Sequence, residues 1–427
     1  MEFGADAVLL GWIPTSYILA SAIFLIPVGR LADIHGMRRV FFPGIVIVTI
    51  ATVLCAFSIS TPILIGFRVL QGIGNAMVFS TAVAALTIIY PPGERGMALG
   101  LSVTASYIGL SLGPFIGGIL TQNLGWRSIF LATIPISALI ILLLMQNGDE
   151  WTEKIPERFD LAGSIVYGSM LLCLMYGLSL LPGTEGWTFI LGSLPLLAIF
   201  IGWEMRIESP IIKISLFLEN RVFSFSSIAT MINYSATFAT SFLLALYLQF
   251  NRGFDPQATG LIIMAQPVVQ AVFSPAAGRL SDRVEPGLIA SAGMGVTVVG
   301  LAMLALLAEE TPLLFIVAAL VALGIGFALF SSPNTNAVMS SVDRKFFGVA
   351  SATVATARQV GMMLSLGVTM VIFSAVIGRV QITPEVHAQL LASIQIAFAL
   401  FAVLCAAGIY FSLARGRVRG RQSGPAQ

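Results

Sequence analysis

The chain of 427 residues is 57% hydrophobic and only 10% charged, with a mean hydropathy of +0.95. Soluble globular domains carry about 25% charged residues, so this composition excludes a soluble domain and indicates a protein embedded in lipid. The net charge of +2 is too small to favour a nucleic-acid partner, and no basic cluster is interleaved with aromatic residues.

Thirteen apolar runs are long enough to cross a membrane as helices, which needs about 20 mostly apolar residues each. Short polar connections separate them, for example PPGER at 91–95 and PGTEG at 182–186. The runs lie at 8–29, 40–60, 62–90, 96–121, 128–146, 160–181, 187–203, 221–250, 258–278, 287–307, 312–340, 347–377 and 388–414. This pattern predicts an all-α membrane protein.

The distribution of Lys and Arg predicts the orientation of these spans. When the connection at 29–39 is placed in the cytoplasm, 17 of the 22 Lys and Arg residues fall on that side, whereas three lie outside and two lie within spans. We therefore expect a multi-pass protein of the cell membrane, with a cytoplasmic carboxyl terminus.

A charged segment occurs twice, as GRLADIHGMRR at 29–39 and as GRLSDR at 278–283. The copies predict two pseudo-symmetric bundles, at 1–147 with five spans and at 221–414 with six. Residues 148–220 then form an inserted helix pair and a cytoplasmic linker, and 415–427 form a basic cytoplasmic tail. Because the second copy follows two spans of its half and the first follows one, we expect that a span is missing before Met1.

The first copy resembles the signature loop of the major facilitator superfamily through Gly29, Asp33, Gly36, Arg38 and Arg39. The weaker copy retains the residues Gly278, Asp282 and Arg283. The glycines permit a tight turn, and a carboxylate can contact a helix amino terminus or an Arg. We interpret these loops as a cytoplasmic latch between two halves that rock apart. A loop that only sets topology is the alternative.

The third run contains R-x-x-Q-G-x-G-N-A, which matches a second motif of that superfamily. Its polar residues Arg68, Gln71 and Asn75 are spaced so that they form one stripe on a helix. The resemblance implies that Arg68 takes part in proton transfer. An Arg in a span must face protein or water, because exposure to lipid costs at least about 2.5 kcal/mol. A structural Arg that bonds neighbouring helix carbonyls is the alternative.

The fourth run reads GLSLGPFIGG at 109–118, which resembles the antiporter motif of exporters in the superfamily. Gly109, Gly113 and Gly117 recur every four residues and predict a face that another helix approaches closely. Pro114 favours a bend there, and Gly118 completes the motif. A glycine packing groove without a transport role is the alternative. With the missing span counted, the chain resembles the fourteen-span drug–proton antiporters of the QacA/EmrB type.

All twenty Asp and Glu residues lie in loops or near span ends, so no carboxylate is placed deep in the membrane. Members of the resembled family often carry an Asp in the first span, which is the span that we expect to be missing here. We therefore expect that the polypeptide as given does not couple export to protons.

The substrate cavity is expected near the midplane between the halves. Its candidate lining residues are polar or aromatic: Phe79, Asn233, Tyr234, Thr237, Asn334, Asn336, Arg358 and Gln359. Hydrogen bonding between helices is the alternative role for the polar ones.

The leading interpretation is a monomeric secondary transporter that exports hydrophobic or amphipathic compounds and is driven by a proton gradient, with no cofactor and no metal. The alternatives are a permease for a metabolite such as a sugar or organic acid, and a non-transporting sensor or fragment. Enzyme activity is not predicted, because the sequence has no nucleophile–base set, metal-spaced cluster or phosphate-binding loop.

Overall fold

A computed structural model describes residues 3–90, 95–146, 150–151, 158–342 and 347–416. These residues are almost entirely helical and contain no strand. The helices before residue 220 are α1 Ala7–His35, α2 Met37–Ala56, α3 Thr61–Ile89, α4 Arg95–Leu124, α5 Arg127–Leu131, α6 Ile134–Gln146, α7 Leu161–Leu180, α8 Thr184–Glu204 and α9 Ile214–Glu219. The later helices are α10 Arg221–Thr237, α11 Thr240–Leu246, α12 Pro256–Ile263, α13 Ala265–Arg283, α14 Pro286–Ala305, α15 Leu313–Ser340, α16 Phe347–Val376 and α17 His387–Ala414.

Twelve stretches of the described chain are helical, long and apolar enough to cross a membrane. They correspond to twelve of the thirteen predicted runs. The remaining run, 96–121, lies within α4, whose side chains the structure describes only in part. The all-α membrane fold is therefore confirmed, whereas the count of thirteen, the fourteen-span organisation and the missing first span are not.

Acidic or amide side chains form the amino-terminal caps of four helices. Asp6, Asp160, Asn220 and Asp255 each accept a hydrogen bond from the backbone N–H three residues later. Such a cap satisfies one of the donors that a helix leaves free at its amino end, and typically contributes about 1 kcal/mol. These polar residues therefore set where apolar runs become helices.

The chain divides into two compact units. The first comprises Met1–Ser106, Leu120–Lys213 and Phe373–Gln381. In it, α3 packs against both α1 and α2. A Cβ atom on Gly72 would lie 2.8 Å from Ala20 Cβ, and one on Gly74 would lie 2.8 Å from Val48 N. Glycine at these two positions therefore lets three helix backbones approach closely. Helix α7 packs against both α8 and α1, and its Tyr167 hydroxyl donates to Ala22 O of α1 at 3.2 Å.

The second unit comprises Tyr107–Ile119, Ile214–Ile372 and Ile382–Gln427. Here α15 packs against α13 and α14, and α17 packs against α10 and α14. A Cβ atom on Gly324 would lie 2.6 Å from Gln266 O, and one on Gly326 would lie 2.7 Å from Thr297 N. The Gly-x-Gly of α15 thus performs the packing role of the Gly-x-Gly in α3, so α1–α3 and α13–α15 are equivalent three-helix groups.

Candidate functional site

The polar stripe of α3 forms a connected network in the first unit. Arg68 donates from Nε to Ile13 O of α1 at 3.2 Å and from Nη1 to Gln71 Oε1 at 2.6 Å. Gln71 Nε2 donates to Thr52 Oγ1 of α2 at 2.8 Å. One turn further along, Asn75 Nδ2 donates to Ser21 Oγ of α1 at 2.9 Å. The structure therefore brings the three predicted residues together and ties them to both neighbouring helices.

The sequence did not predict that Tyr17, Thr52 and Ser21 belong to this network. The Arg68 guanidinium lies over the Tyr17 ring, with Cζ 4.5 Å from the ring centroid, and Thr52 accepts the far end of the chain of hydrogen bonds. Tyr and Thr within apolar runs are ordinary, so the sequence carried no signal for them. The partners of Arg68 in the described residues are a carbonyl, an amide and an aromatic ring, and none of them is acidic.

The first charged segment is mostly helical, and the prediction that Gly29 contributes to a tight turn is wrong. Helix α1 continues to His35, because 30–35 contains no helix-breaking residue and Arg30 pairs with Asp33 one turn later at 3.8 Å. The chain turns only at Gly36, whose φ of 110° favours glycine. Gly29 instead lies against α3, where its added Cβ would meet Ser80 Cβ at 3.6 Å.

A carboxylate does meet a helix amino terminus here, but it belongs to Glu150. Glu150 accepts hydrogen bonds from Arg38 N at 2.7 Å and from Arg39 N at 3.3 Å, at the start of α2. The Arg39 side chain lies 3.9 Å from the same carboxylate, and Arg38 Nη2 donates to Leu144 O at 2.7 Å. A Cβ atom on Gly36 would lie 2.6 Å from Glu150 Oε2, so glycine also leaves room for this cap.

The second charged segment forms the last turns of α13, so the tight turn predicted at Gly278 is also wrong. An added Cβ on Gly278 would lie 3.1 Å from Ser332 Oγ of α15, in the position that Ser80 of α3 has beside Gly29. Asn336 Nδ2 donates to Ser281 Oγ at 3.0 Å, which joins the segment to α15. The side chain of Asp282 lies outside the described residues, and Arg283 is the last residue of α13.

The close contact of the segment 109–118 lies on a different helix face from the one predicted. Among the described residues, no atom outside the local turns of α4 lies within 4 Å of a Cβ added to Gly109, Gly113 or Gly117. A Cβ on Gly118 would instead overlap the Pro256 carbonyl and lie 3.0 Å from Gln257 Cα at the start of α12.

The same contact is seen from α12, where a Cβ on Gly260 would lie 2.9 Å from Pro114 C. Pro114 and Gly118 are four residues apart and share a helix face. Residues 107–119 of α4 therefore pack against α12, within the second unit, through this face.

The candidate cavity residues of the second unit separate into distinct groups. Arg358 Nη2 donates to Thr335 Oγ1 at 3.1 Å, and its Cζ lies 5.7 Å from the centroid of the Tyr234 ring. The Tyr234 ring in turn packs edge-on against Phe327 at 5.2 Å. This cationic and aromatic group is a suitable surface for binding a planar or anionic compound.

Asn233 and Thr237 are buried one turn apart on α10. Thr237 Oγ1 donates to the Asn233 carbonyl of its own helix at 2.8 Å. Asn233 is 0% exposed, and neither of its amide atoms has a nitrogen or oxygen hydrogen-bond partner among the described residues. Of the remaining candidates, Phe79 in α3 is 54% exposed, and Gln359 in α16 is half-buried.

Asn334 connects packed helices through a hydrogen bond with Arg415, a residue that the sequence analysis placed in the cytoplasmic tail. Arg415 is 1% exposed and donates from Nη1 to Asn334 Oδ1 at 2.7 Å and to Ser226 Oγ at 3.0 Å. Its Nε donates to Ser412 O at 2.6 Å. Burial lowers the pKa of Arg415 to about 10, and the Glu285 carboxylate acts in the opposite direction. The sequence did not indicate this burial, because Arg415 is charged and follows the last apolar run.

Comparison with curated proteins finds transporters over most of the chain. The chain is 29% identical over 368 residues to the multidrug resistance protein Stp of Mycobacterium tuberculosis strain CDC 1551/Oshkosh, covering 84% of this chain and 68% of Stp. It is 28% identical to the riboflavin transporter RibZ of Clostridioides difficile strain 630, covering 85% and 79%. It is 27% identical to the tetracenomycin C resistance and export protein of Streptomyces glaucescens, covering 86% and 70%.

Solved structures confirm the fold. A peptide transporter POT in complex with sulfate superposes with a TM-score of 0.67 at 14% identity, covering 95% of this chain and 86% of that one. The human organic anion transporter MFSD10 gives a TM-score of 0.62 at 14% identity, covering 94% and 83%. The profile of the Major Facilitator Superfamily matches residues 1–365 and 226–426. The chain therefore belongs to the Major Facilitator Superfamily, whose members are transporters that carry small molecules across membranes.

Proposed function

We propose that this protein exports hydrophobic or amphipathic compounds from the cell by alternating access, driven by proton influx. It acts as a monomer in the cell membrane, with its carboxyl terminus in the cytoplasm and the proton gradient as its energy source. The similarity to the two resistance proteins, Stp and the tetracenomycin C exporter, over at least 84% of the chain is the observation that carries this proposal.

The α3 network supports the same proposal. Arg68 is a permanent charge in a span, and its hydrogen bonds in the described chain go to α1 and to Gln71 and not to a carboxylate. Any movement of α1 against α3 must change these contacts, because Ile13 O and Tyr17 both belong to α1. An Arg held in this way can respond to charge that arrives in the bundle.

Resistance conferred on an efflux-deficient bacterium tests the proposal. Expression of the chain should raise the inhibitory concentration of several unrelated amphipathic compounds, and Arg68→Ala should abolish that increase at equal protein level. Arg206→Ala is the matched control, since Arg206 is exposed after α8. Resistance that is equal in both variants would contradict the role of Arg68.

Proton coupling needs its own measurement, because none of the described partners of Arg68 is acidic. Purified protein in liposomes should accumulate a fluorescent amphipathic cation when the lumen is acidic, and a protonophore should abolish the accumulation. This proposed outcome is the opposite of the expectation drawn from the sequence, which depended on a missing first span, and accumulation under a pH gradient would overturn that expectation. If the pH gradient did not change the accumulation of the cation, export would not be coupled to protons, and this part of the proposal would be wrong.

The similarity to a riboflavin transporter favours a second candidate, uptake of a planar metabolite. The Tyr234–Arg358 group fits such a compound as well as it fits a drug. Uptake of radiolabelled riboflavin by cells that need it distinguishes the two functions. Growth on low riboflavin that depends on Arg358, without drug resistance, would favour the permease.

A further inference from the structure

Two buried carboxylates lie together where α7 begins and α8 ends. Asp160 is 5% exposed and Glu204 is 3% exposed, and both belong to the first unit. They are separate from the α3 network and from the first charged segment. Buried Asp and Glu side chains normally have a cationic partner or a full set of hydrogen-bond donors.

Both carboxylate oxygens of Asp160 accept hydrogen bonds. It accepts from Gly163 N at 2.9 Å as the amino-terminal cap of α7. The Trp203 indole Nε1 lies 3.1 Å from each of its carboxylate oxygens. The positive end of a helix also favours a negative charge at this position.

Glu204 has donors on one oxygen only. Its Oε2 accepts from Ile212 N at 2.8 Å, whereas its Oε1 is buried and meets no hydrogen-bond partner among the described residues. A Cβ atom on Gly163 would lie 2.6 Å from Glu204 Oε1 and still closer to Asp160 Oδ2. The unpartnered oxygen therefore borders the same small space as the Asp160 carboxylate.

The neighbouring charges do not neutralise this pair. The ionisable residues on the adjoining described segments are Arg158, Glu185, Arg206, Glu208 and Lys213, with Arg30, Asp33 and His35 at the end of α1. Hydrogen bonds to Asp160 and Glu204 come from backbone N–H groups and from the indole, and no ion pair reaches either carboxylate within the described chain.

We propose that Asp160 and Glu204 form a proton-binding site, in which one proton is shared between Glu204 Oε1 and Asp160 Oδ2 at neutral pH. Two buried carboxylates in contact seldom ionise together, and a shared proton leaves one negative charge and gives the orphaned oxygen a partner. The proton resides mainly on Glu204, because the carboxyl end of α8 disfavours an anion whereas Asp160 caps α7.

A proton fits this site better than a metal ion does. The described residues contain no group of three or more His, Cys, Asp or Glu side chains that could hold a metal. Calcium and magnesium take about six or more oxygen ligands, and two carboxylates already bonded to N–H donors cannot supply them.

The bound proton joins three parts of the chain. Glu204 Oε2 holds Ile212 in the segment that follows α8, and Asp160 holds both the start of α7 and Trp203. Loss of the proton would place two negative charges at this joint. The folded state binds more protons here than the unfolded state does, so stability should fall as pH rises.

Infrared spectroscopy of the purified protein tests the inference directly. The wild-type spectrum at neutral pH should contain the carbonyl stretch of a protonated carboxyl group, and both Glu204→Gln and Asp160→Asn should lack it. Glu208→Gln is the control, because Glu208 is exposed and outside the pair. A wild-type spectrum without this band, or a band that both pair variants retain, would overturn the proposal.

A second measurement keeps the test decisive if one variant folds poorly. The thermal unfolding temperature of the wild type should decrease as the pH is raised from about 6 to about 9. The unfolding temperature of Glu204→Gln should change less over the same range, because its amide can donate to Asp160 without a titrating proton. Equal pH profiles would contradict the shared proton. If calcium or magnesium stabilised the wild type and Glu204→Gln abolished that effect, the site would bind a metal ion and the proposed shared proton would be wrong. Neither result depends on the transported compound, so this inference stands apart from the proposed function.

Discussion

Replacement of Gly118 with alanine tests whether α4 meets α12 by backbone contact. The added Cβ would overlap the Pro256 carbonyl and lie 3.0 Å from Gln257 Cα. Both are main-chain atoms at the start of a helix, so they cannot rotate away as a flexible side chain would. An added methyl group in so tight a contact typically costs about 1–3 kcal/mol.

Gly113→Ala in the same motif provides the matched control. Within the described part of the chain, no atom outside the local turns of α4 lies within 4 Å of a Cβ at Gly113, and alanine is favoured over glycine in a helix by about 0.5–1 kcal/mol. Both substitutions gain this helix propensity, so they should differ by the cost of the close contact alone, about 1–3 kcal/mol in the free energy of unfolding.

Thermal unfolding of the purified variants in one detergent measures this difference. Gly118→Ala should unfold below the wild type, whereas Gly113→Ala should unfold at or above it. Export by the two variants should follow the same order. Identical unfolding midpoints would refute the assignment of the close contact to the Pro114–Gly118 face.

Three further substitutions test other contacts by the same unfolding assay. Arg415→Leu should cost about 1–3 kcal/mol, because its buried acceptors lose their donor, whereas Arg206→Leu on the exposed surface should cost little. Thr52→Val should cost about 1 kcal/mol and reduce export, since the α3 network loses its acceptor. Thr49→Val removes only a bond to its own helix and should leave export unchanged. Glu150→Ala should cost about 1 kcal/mol through loss of the α2 cap, and a variant as stable as the wild type would contradict that role.

The apolar runs predicted the helices well because each depends on nearby residues. Runs such as 312–340 and 388–414 became α15 and α17 with boundaries within a residue. The predictions failed where a motif was taken as a loop because it is charged. The segment from Gly29 to His35 is charged and contains no helix breaker, so α1 continues through it until Gly36.

The candidate site was predicted in part. The spacing of Arg68, Gln71 and Asn75 established that they share a face, and the structure confirms it. The spacing could not identify which helices that face meets. Similarly, Asn334 and Asn336 lie on one helix, yet one bonds Arg415 and the other bonds Ser281.

Composition and periodicity alone determined that this is an all-helical membrane protein with a repeated, charge-bearing helix junction. These properties depend on the local balance of apolar and polar side chains. Tertiary structure alone decided that Glu150 caps α2, that Gly118 rather than Gly113 meets another helix, and that Glu204 lies against Asp160. Each of these contacts joins residues distant in the chain, and its geometry depends on how packed helices are rotated and displaced. The pattern of residues along the chain does not predict this rotation and displacement of the helices.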